Sequence, residues 1–309
     1  MTAEVSVILP TYNRTHSLPA AIASVLSQSY TNFELIIVDD GSREDVEGVV
    51  KAIDDPRLRY VRRAINGGAA AARNTGLMEA KGRFIAFQDS DDLWLPGKLM
   101  KQVTLLSGMP HHVGALTGAK IVYGRDARFN YGPGRVAYAP QPETCLRVDE
   151  DQLSHLLTEN RISVQNALFR RDCLPYIAWF DSCARANEDW EFAIRLVQHT
   201  KVYEDIEPVV LGFASADSIS SNPRKQMIGM LRILRKHRAV LSLRKNQRSW
   251  MLIDLAITFY KVGKPRWAMK FLLAGLKDHP AHSLLLGTGF LRRACRTTTR
   301  RVQSLLVWS

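Results

Sequence analysis

Three carboxylates within four residues are the feature of this 309-residue chain that most directly suggests chemistry. Asp89, Asp91 and Asp92 come one residue after the apolar run 84–87, which is typical of a short buried strand. Carboxylates this close repel one another unless the strand end opens into water or onto a cation. Mg²⁺ and Mn²⁺ take carboxylate oxygens, and Mg²⁺ often shares its other positions with substrate phosphates. A solvated acidic turn is the alternative, and the rest of the chain has to decide between the two.

Two earlier apolar runs also end in polar residues. The run 5–9 is followed by the loop 10–14, and the run 33–38 is followed by Asp39 and Asp40. Helical segments separate these runs, so the order β-α-β-α-β-α-β predicts a parallel sheet with helices on its faces. Ligands of such sheets bind outside the carboxyl ends of the strands. The three polar loops are therefore predicted to meet at one site.

Two other segments carry charged residues at predicted helix starts. Arg73 lies in the first turns of an alanine-rich helix predicted at 69–80. Glu188 and Asp189 begin a later helix, where acidic residues are also favoured by the helix dipole alone. Capping is therefore the alternative to a chemical role for this acidic pair.

The charge is unevenly distributed along the chain. From Arg224 to the end there are 19 basic and two acidic residues, a net charge of +17, whereas residues 1–223 carry 23 basic and 28 acidic residues, a net charge of −5. This contrast predicts a boundary near Pro223. The N-terminus has no signal-peptide pattern and the four cysteines have no C-x-x-C spacing, which predicts a cytoplasmic protein without a disulfide framework or a zinc site.

Taken together, five motifs resemble family 2 glycosyltransferases, the inverting family with the GT-A fold. The resemblance is strong over residues 4–110, moderate over 160–205 and absent after about Pro223. It implies an α/β fold of Rossmann-like GT-A type, with a mostly parallel central sheet flanked by helices. Domains are expected at 1–223 (the glycosyltransferase) and 224–309 (a basic C-terminal helical appendage). The motifs are Val5 to Arg14, Ser24 to Glu34 leading into Ile37 to Ser42, Asn66 to Asn74, Asp89 to Asp92 and Glu188 to Trp190.

The resemblance also implies roles for single residues. The donor would be a nucleoside-diphosphate sugar, with a UDP-sugar favoured. Asp91 would bind Mg²⁺ or Mn²⁺, which neutralises charge on the departing diphosphate. Asp189 would be the general base that deprotonates an acceptor hydroxyl. The implied donor-binding residues are Pro10, Tyr12 (stacking on the base), Asn13, Arg14, Asp39, Asp40, Arg73 (on the diphosphate) and Asp89 (on the ribose or the waters of the metal).

Two points stay open within this interpretation. Asp39 and Asp40 are adjacent at a strand end, and the sequence does not decide which one contacts the base. Many relatives have a His in the loop after the catalytic helix, but residues 213–220 contain none. Asp217 is a candidate substitute, and the alternative is that this loop does not touch the diphosphate.

Alternatives to this enzyme are a sugar nucleotidyltransferase of related architecture and a non-catalytic nucleotide-sugar-binding relative. The first would carry an early Gly-rich phosphate loop, which residues 10–13 do not resemble. The expected acceptor is a saccharide or a lipid-linked molecule in bacterial cell-surface polysaccharide or glycolipid assembly. Basic and apolar residues alternate after Leu284, which suits an anionic membrane surface, on the inner face of the plasma membrane, as well as a solvated helical bundle. Nucleic acid is not an expected partner.

Overall fold

The structure is a computed structural model that describes residues 3–124, 136–140, 145–174, 179–184, 186–214 and 222–282. The chain divides into two units, Met1–Gly229 and Met230–Ser309. The assignment of residues 1–223 to a transferase domain and 224–309 to a basic helical region stays a prediction.

The first unit begins with four parallel strands in the order β3-β2-β1-β4. Buried apolar side chains fill β1, β2 and β4, as expected for strands covered on both faces. The predicted α/β fold is confirmed. The strands are β1 (Val5–Thr11), β2 (Phe33–Asp39), β3 (Leu58–Arg62) and β4 (Phe84–Phe87), connected by α1 (Leu18–Leu26), α2 (Val46–Lys51) and α3 (Ala69–Glu79).

The later strands extend the sheet from β4 in the order β8-β6-β9-β5, with β7 paired to β6. β8 is antiparallel to both β4 and β6, while β9 is parallel to β6. Strands β5 and β8 were not predicted, because two and four residues are too short for a clear hydrophobic period. These elements are β5 (Leu93–Trp94), α4 (Lys98–Gly108), β6 (Val113–Gly124), β7 (Val136–Ala139), α5 (Gln152–Leu156), β8 (Ala167–Arg170), α6 (Glu188–Leu196) and β9 (Lys201–Ala214).

Helix α3 lies close against β1 because Gly76 has no side chain. A Cβ atom at Gly76 would be 2.3 Å from Cγ2 of Ile8, well inside van der Waals contact. Arg73 lies one turn before Gly76 on the same helix. The close approach of the helix therefore fixes the position of this arginine at the ends of the strands.

The C-terminal helices are α7 (Pro223–Lys236), α8 (Arg238–Leu243), α9 (Lys245–Lys261) and α10 (Pro265–Asp278). The first two of these helices are separated at His237. The predicted basic last segment lies in residues 283–309, outside the described residues. Over the described ranges, none of the helices combines the length and the apolar character needed to cross a bilayer.

Candidate active site

A pocket of about 780 Å³ lies at the carboxyl ends of the parallel strands. One part of its wall comes from the loops after β1, β2 and β4 and from α3. We call this part the donor wall; it consists of Tyr12, Arg14, Asp40, Arg73, Asp89 and Asp91. The remaining part comes from elements after β5. We call it the base wall; it consists of Lys120, Asn160, Gln165, Asp189 and Phe213.

The loops after β1 and β2 are joined by Asn13 and Ser42. The backbone N–H of Asn13 donates to the Ser42 hydroxyl at 2.9 Å, and the Asn13 side-chain oxygen accepts from the Arg43 N–H at 2.9 Å. Asn13 has a φ of 49°, which asparagine tolerates better than most residues. Asn13 thus orders the loop that carries Tyr12 and is not itself among the lining residues of the pocket.

Asp39 and Asp40 have different environments. Asp39 is fully buried and accepts from the Ser42 N–H at 2.9 Å and from the Tyr60 hydroxyl at 2.8 Å. Asp40 lines the pocket, pairs with Arg63 and accepts from the Gly68 N–H at 2.7 Å. Of the two residues that the sequence left open, Asp40 is therefore the one at the pocket.

Arg73 joins the acidic strand end to the acidic helix start. Its guanidinium donates to Asp89 at 2.9 Å and to Glu188 at 3.0 Å. Burial lowers the pKa of Arg73, but the carboxylates of Asp89 and Glu188 outweigh burial and raise the pKa above its ordinary value. Among the described residues, its Nε has no hydrogen-bond partner. Arg73 is thus a permanent buried cation with one donor still unused.

The three carboxylates after β4 have separate surroundings. Asp89 is bonded to Arg73, and Asp91 lies 3.9 Å from Arg14. Asp92 is buried and accepts from the Phe213 N–H at 3.1 Å and the Gln165 amide at 3.3 Å. Burial, followed by the charge of Asp89, raises the pKa of Asp92 to about 7. Asp92 therefore fastens the end of β9 to this loop.

Asp189 lies in the first turn of α6, half-buried in the pocket wall. It accepts a hydrogen bond from the Asn160 amide at 3.1 Å. Burial and then the neighbouring Glu188 raise the pKa of Asp189 to about 6, against the opposing charge of Arg73. Such a carboxylate is ionised at neutral pH and still basic enough to accept a proton.

A reciprocal pair of hydrogen bonds connects α3 to the segment that leads to α6. The Asn74 amide donates to the Phe180 carbonyl at 2.8 Å, and the Phe180 N–H donates back at 2.9 Å. The Trp190 indole N–H donates to the carbonyl of Leu156 in α5. These contacts hold Asp189 at the same pocket as Asp89, a hundred residues apart in sequence.

Most of the predicted site residues come together at the pocket. Those that line it are Pro10, Tyr12, Arg14, Asp40, Arg73, Asp89, Asp91 and Asp189, whereas Asn13 and Asp39 support it from behind. The loop with Asp217 lies outside the described residues. In the described part of the chain, no three side chains of His, Cys, Asp or Glu are arranged to hold a metal ion between them.

The sequence interpretation missed Lys120, Asn160 and Gln165. Lys120 lies half-buried on β6 and its charge lowers the pKa of both Asp92 and Asp189. A lysine inside the apolar run 113–123 was the available signal. Asn160 lies in an irregular segment before β8, and Gln165 lies in a single turn of 3-10 helix, which is too short for sequence periodicity to carry a signal.

Comparison with known proteins now identifies the family. The profile of Glycosyl transferase family 2 matches residues 6–171, more than half of the chain. A putative colanic acid biosynthesis glycosyl transferase, WcaA from Escherichia coli (strain K12), is 31% identical over 245 residues, which are 76% of this chain and 81% of that protein. The chain belongs to glycosyl transferase family 2, and the expected family is confirmed.

A second relative matches more closely over a shorter stretch. The UDP-Glc:alpha-D-GlcNAc-diphosphoundecaprenol beta-1,3-glucosyltransferase WfgD from Escherichia coli is 45% identical over 102 residues, or 33% of this chain. This chain spans only 40% of the length of WfgD. The similarity is therefore confined to a part of both proteins.

Solved structures agree on the fold. The fragment 1–349 of S. aureus TarS in complex with UDP aligns with a TM-score of 0.56 and 18% identity, covering 91% of each chain. The mannosyltransferase PcManGT from Pyrobaculum calidifontis, in complex with GDP-Man and Mn²⁺, aligns with a TM-score of 0.59 and 18% identity, covering 94% of this chain and 81% of that one. At this identity the two structures support the GT-A fold and nothing finer.

Proposed function

We propose that this protein is an inverting glycosyltransferase that moves a sugar from a nucleoside-diphosphate sugar to an acceptor hydroxyl. The observation that carries the proposal is the pairing of two groups in one pocket. Arg73 supplies a buried cation for a diphosphate, and Asp189 supplies a carboxylate with a pKa of about 6. A site for both a leaving group and a base is what displacement at an anomeric carbon requires.

The donor wall suits a nucleoside diphosphate. Tyr12 is 41% exposed at the pocket, so its ring is available to stack on a base. Two buried polar groups, Arg73 Nε and Thr11 Oγ1, have no partner among the described residues, and such groups normally find one in a ligand or in water. UDP is the favoured nucleotide, because the name of WfgD specifies UDP-Glc.

The acidic strand end suits a divalent cation held partly by the donor. Asp89 and Asp91 both line the pocket, and their side chains are 26% and 33% exposed, so their carboxylate oxygens are accessible to a cation. Mg²⁺ is commonly bound through one or two carboxylates, with substrate phosphates and water completing its coordination. Asp91, with Asp89 beside it, would hold Mg²⁺ or Mn²⁺. The bound ion would neutralise charge on the diphosphate as it leaves.

The base wall suits proton transfer. Asp189 would remove the proton of the acceptor hydroxyl as its oxygen bonds to the anomeric carbon. The bond from that carbon to the diphosphate breaks on the opposite side, so the configuration inverts and the diphosphate keeps the electron pair. Asn160, which donates to Asp189, would hold the carboxylate in place.

The acceptor is proposed to be a saccharide or a lipid-linked sugar used in bacterial surface polysaccharide or glycolipid assembly. This rests on the names of the two relatives, one in colanic acid biosynthesis and one acting on a diphosphoundecaprenol-linked sugar. A location in the cytoplasm, at the inner face of the plasma membrane, belongs to the same proposal.

A donor screen tests the proposal. UDP-, GDP- and dTDP-sugars are incubated with the protein, Mg²⁺ or Mn²⁺ and a lipid-diphosphate-linked acceptor sugar, and release of nucleoside diphosphate is measured. We expect turnover with one donor class that Asp189→Asn abolishes. Turnover of a nucleoside triphosphate with a sugar phosphate would identify a nucleotidyltransferase instead. Donor binding without turnover in the whole screen would identify a non-catalytic relative.

A further inference from the structure

Helix α10 has two faces of different composition. Its inner face packs on α9: the rings of Phe271 and Phe259 stack at 5.1 Å, and Gly275 lies against the backbone carbonyl of Ser249. Ala268 is buried on the same side. The spacing of 268, 271 and 275 fixes which side of the helix faces α9. The residues on the opposite side are therefore accessible.

The outer face combines positive charge with large apolar side chains. Arg266, Lys270 and Lys277 are exposed and lie four and seven residues apart, so they share one side of the helix. Met269 and Leu273 flank them and are 55% and 59% exposed. Exposed apolar side chains cost free energy in water, and a cluster of them marks a site of interaction.

Trp267 adds an aromatic ring at the edge of this face. It is 52% exposed, and the Lys270 ammonium lies 4.9 Å from the centroid of its ring. Tyr260, near the end of α9, is 72% exposed. Trp and Tyr side chains of this kind are enriched where protein meets the headgroup layer of a bilayer.

Few acidic residues near α10 neutralise the positive charge of its outer face. Residues 224–282 contain 14 basic residues and two acidic ones, Asp254 and Asp278. Asp278 is paired with Arg248 of α9. The field around α10 is therefore strongly positive.

We propose that the outer face of α10 binds an anionic lipid bilayer. The basic residues would pair with anionic headgroups, while Met269, Leu273 and Trp267 insert at the boundary with the acyl chains. A second copy of the chain fits less well, because a two-fold contact would bring like charges together. Nucleic acid would leave Met269 and Leu273 without an apolar partner.

The sequence suggests membrane attachment through the residues after Leu284. The present proposal assigns the attachment to α10 instead. It is independent of sugar transfer, because vesicle binding is measured without donor or acceptor. Failure of vesicle binding and failure of transfer are thus separate results.

Vesicle flotation with the full chain tests the proposal. Vesicles of phosphatidylcholine with about one third phosphatidylglycerol are compared with pure phosphatidylcholine. We expect binding to the anionic vesicles only, weakened by added salt. Met269→Ser with Leu273→Ser should reduce binding about tenfold or more, and Arg266→Glu with Lys277→Glu should reduce it by a similar factor. Met78→Ser with Met100→Ser, two exposed methionines of the first unit, is the matched control and should bind as wild type.

Three results would overturn the proposal. One is the absence of binding to anionic vesicles. The second is unchanged binding of both α10 double variants, which would locate the contact elsewhere in the chain. The third is an oligomer in light scattering that the α10 substitutions dissociate, which would make the face a contact between copies. Circular dichroism during heating verifies that each variant is folded. If Met269→Ser with Leu273→Ser is unfolded, the result for Arg266→Glu with Lys277→Glu is used to test the proposal.

Discussion

The donor wall and the base wall hold their carboxylates in different ways. On the donor wall, Asp40 pairs with Arg63 and Asp89 pairs with Arg73. On the base wall, Asp189 receives its hydrogen bonds from an amide side chain and a backbone N–H, and its pKa is raised to about 6. Burial and then the charge of Glu188 cause this rise, against the charge of Arg73. The arginines fix Asp40 and Asp89 in position, whereas Asp189 takes up a proton more easily than an ordinary carboxylate. The first arrangement suits binding of a charged substrate, and the second suits proton transfer.

The largest expected effect follows from the loss of Asp189, the proposed base. Asp189→Asn keeps the shape of the side chain and removes its basicity, so kcat should fall by about 10³-fold. The affinity for nucleoside diphosphate should stay within about twofold of wild type, because the donor wall is untouched. Steady-state kinetics and calorimetric titration measure the two quantities.

Asp172→Asn, an exposed carboxylate bonded to His111, is the control for this change and should retain full activity. Wild-type kcat in Asp189→Asn would contradict the assignment of the base. A large loss of nucleoside diphosphate affinity would contradict the division of the pocket into two walls.

A smaller effect, on binding, is expected from the donor wall. Arg73→Lys keeps the charge but cannot donate to both Asp89 and Glu188 in the fork geometry of arginine. We expect the affinity for nucleoside diphosphate to fall by about 10–100-fold and the thermal midpoint to decrease. Titration calorimetry and thermal unfolding measure the two. Arg83→Lys, at an exposed site, is the control and should change neither the affinity nor the thermal midpoint. Wild-type affinity in Arg73→Lys would contradict the proposal that Arg73 binds the diphosphate.

The donor wall was largely predictable from the sequence, whereas the base wall was not. Asp40, Arg73 and Asp89 follow apolar runs or open a helix at the ends of parallel strands, so strand polarity alone brings them together. The base wall depends on β8, a four-residue strand inserted between β4 and β6. A strand of four residues is too short to show a hydrophobic period, and its pairing with distant strands is not visible in the local sequence. Asp189 could be predicted because an acidic cluster at the start of a helix can be recognised in the local sequence. Asn160 could not, because only its hydrogen bond to Asp189 in the folded protein sets it apart from other asparagines.

Removal of the Asn160 amide tests the base wall without changing Asp189, the proposed base. Asn160→Ala deletes a hydrogen bond to the ionised form of Asp189, so it should raise the pKa of that carboxyl and lower kcat about tenfold. The acidic limb of kcat/KM against pH, expected near 6 in wild type, should move to higher pH. Asn246→Ala, at an exposed position on α9, is the control. A fall in kcat with an unmoved acidic limb would assign Asn160 to substrate contact rather than to positioning of the base.

The smallest effect is expected from Lys120, the base-wall lysine whose charge acts on Asp189. Its charge lowers the pKa of Asp189, so Lys120→Met should raise that pKa and shift the acidic limb upward. The direction of this pKa shift determines at which pH the rate changes. Below the shifted pKa more of Asp189 is protonated and the rate falls, whereas at pH about 8 the base is ionised in both proteins and the rates should agree within about twofold. Lys51→Met, on the exposed end of α2, should leave the whole profile unchanged. If Lys120→Met instead lowered the rate equally at every pH, the lysine would act on the bound substrate, and the base wall would hold charge in the same manner as the donor wall.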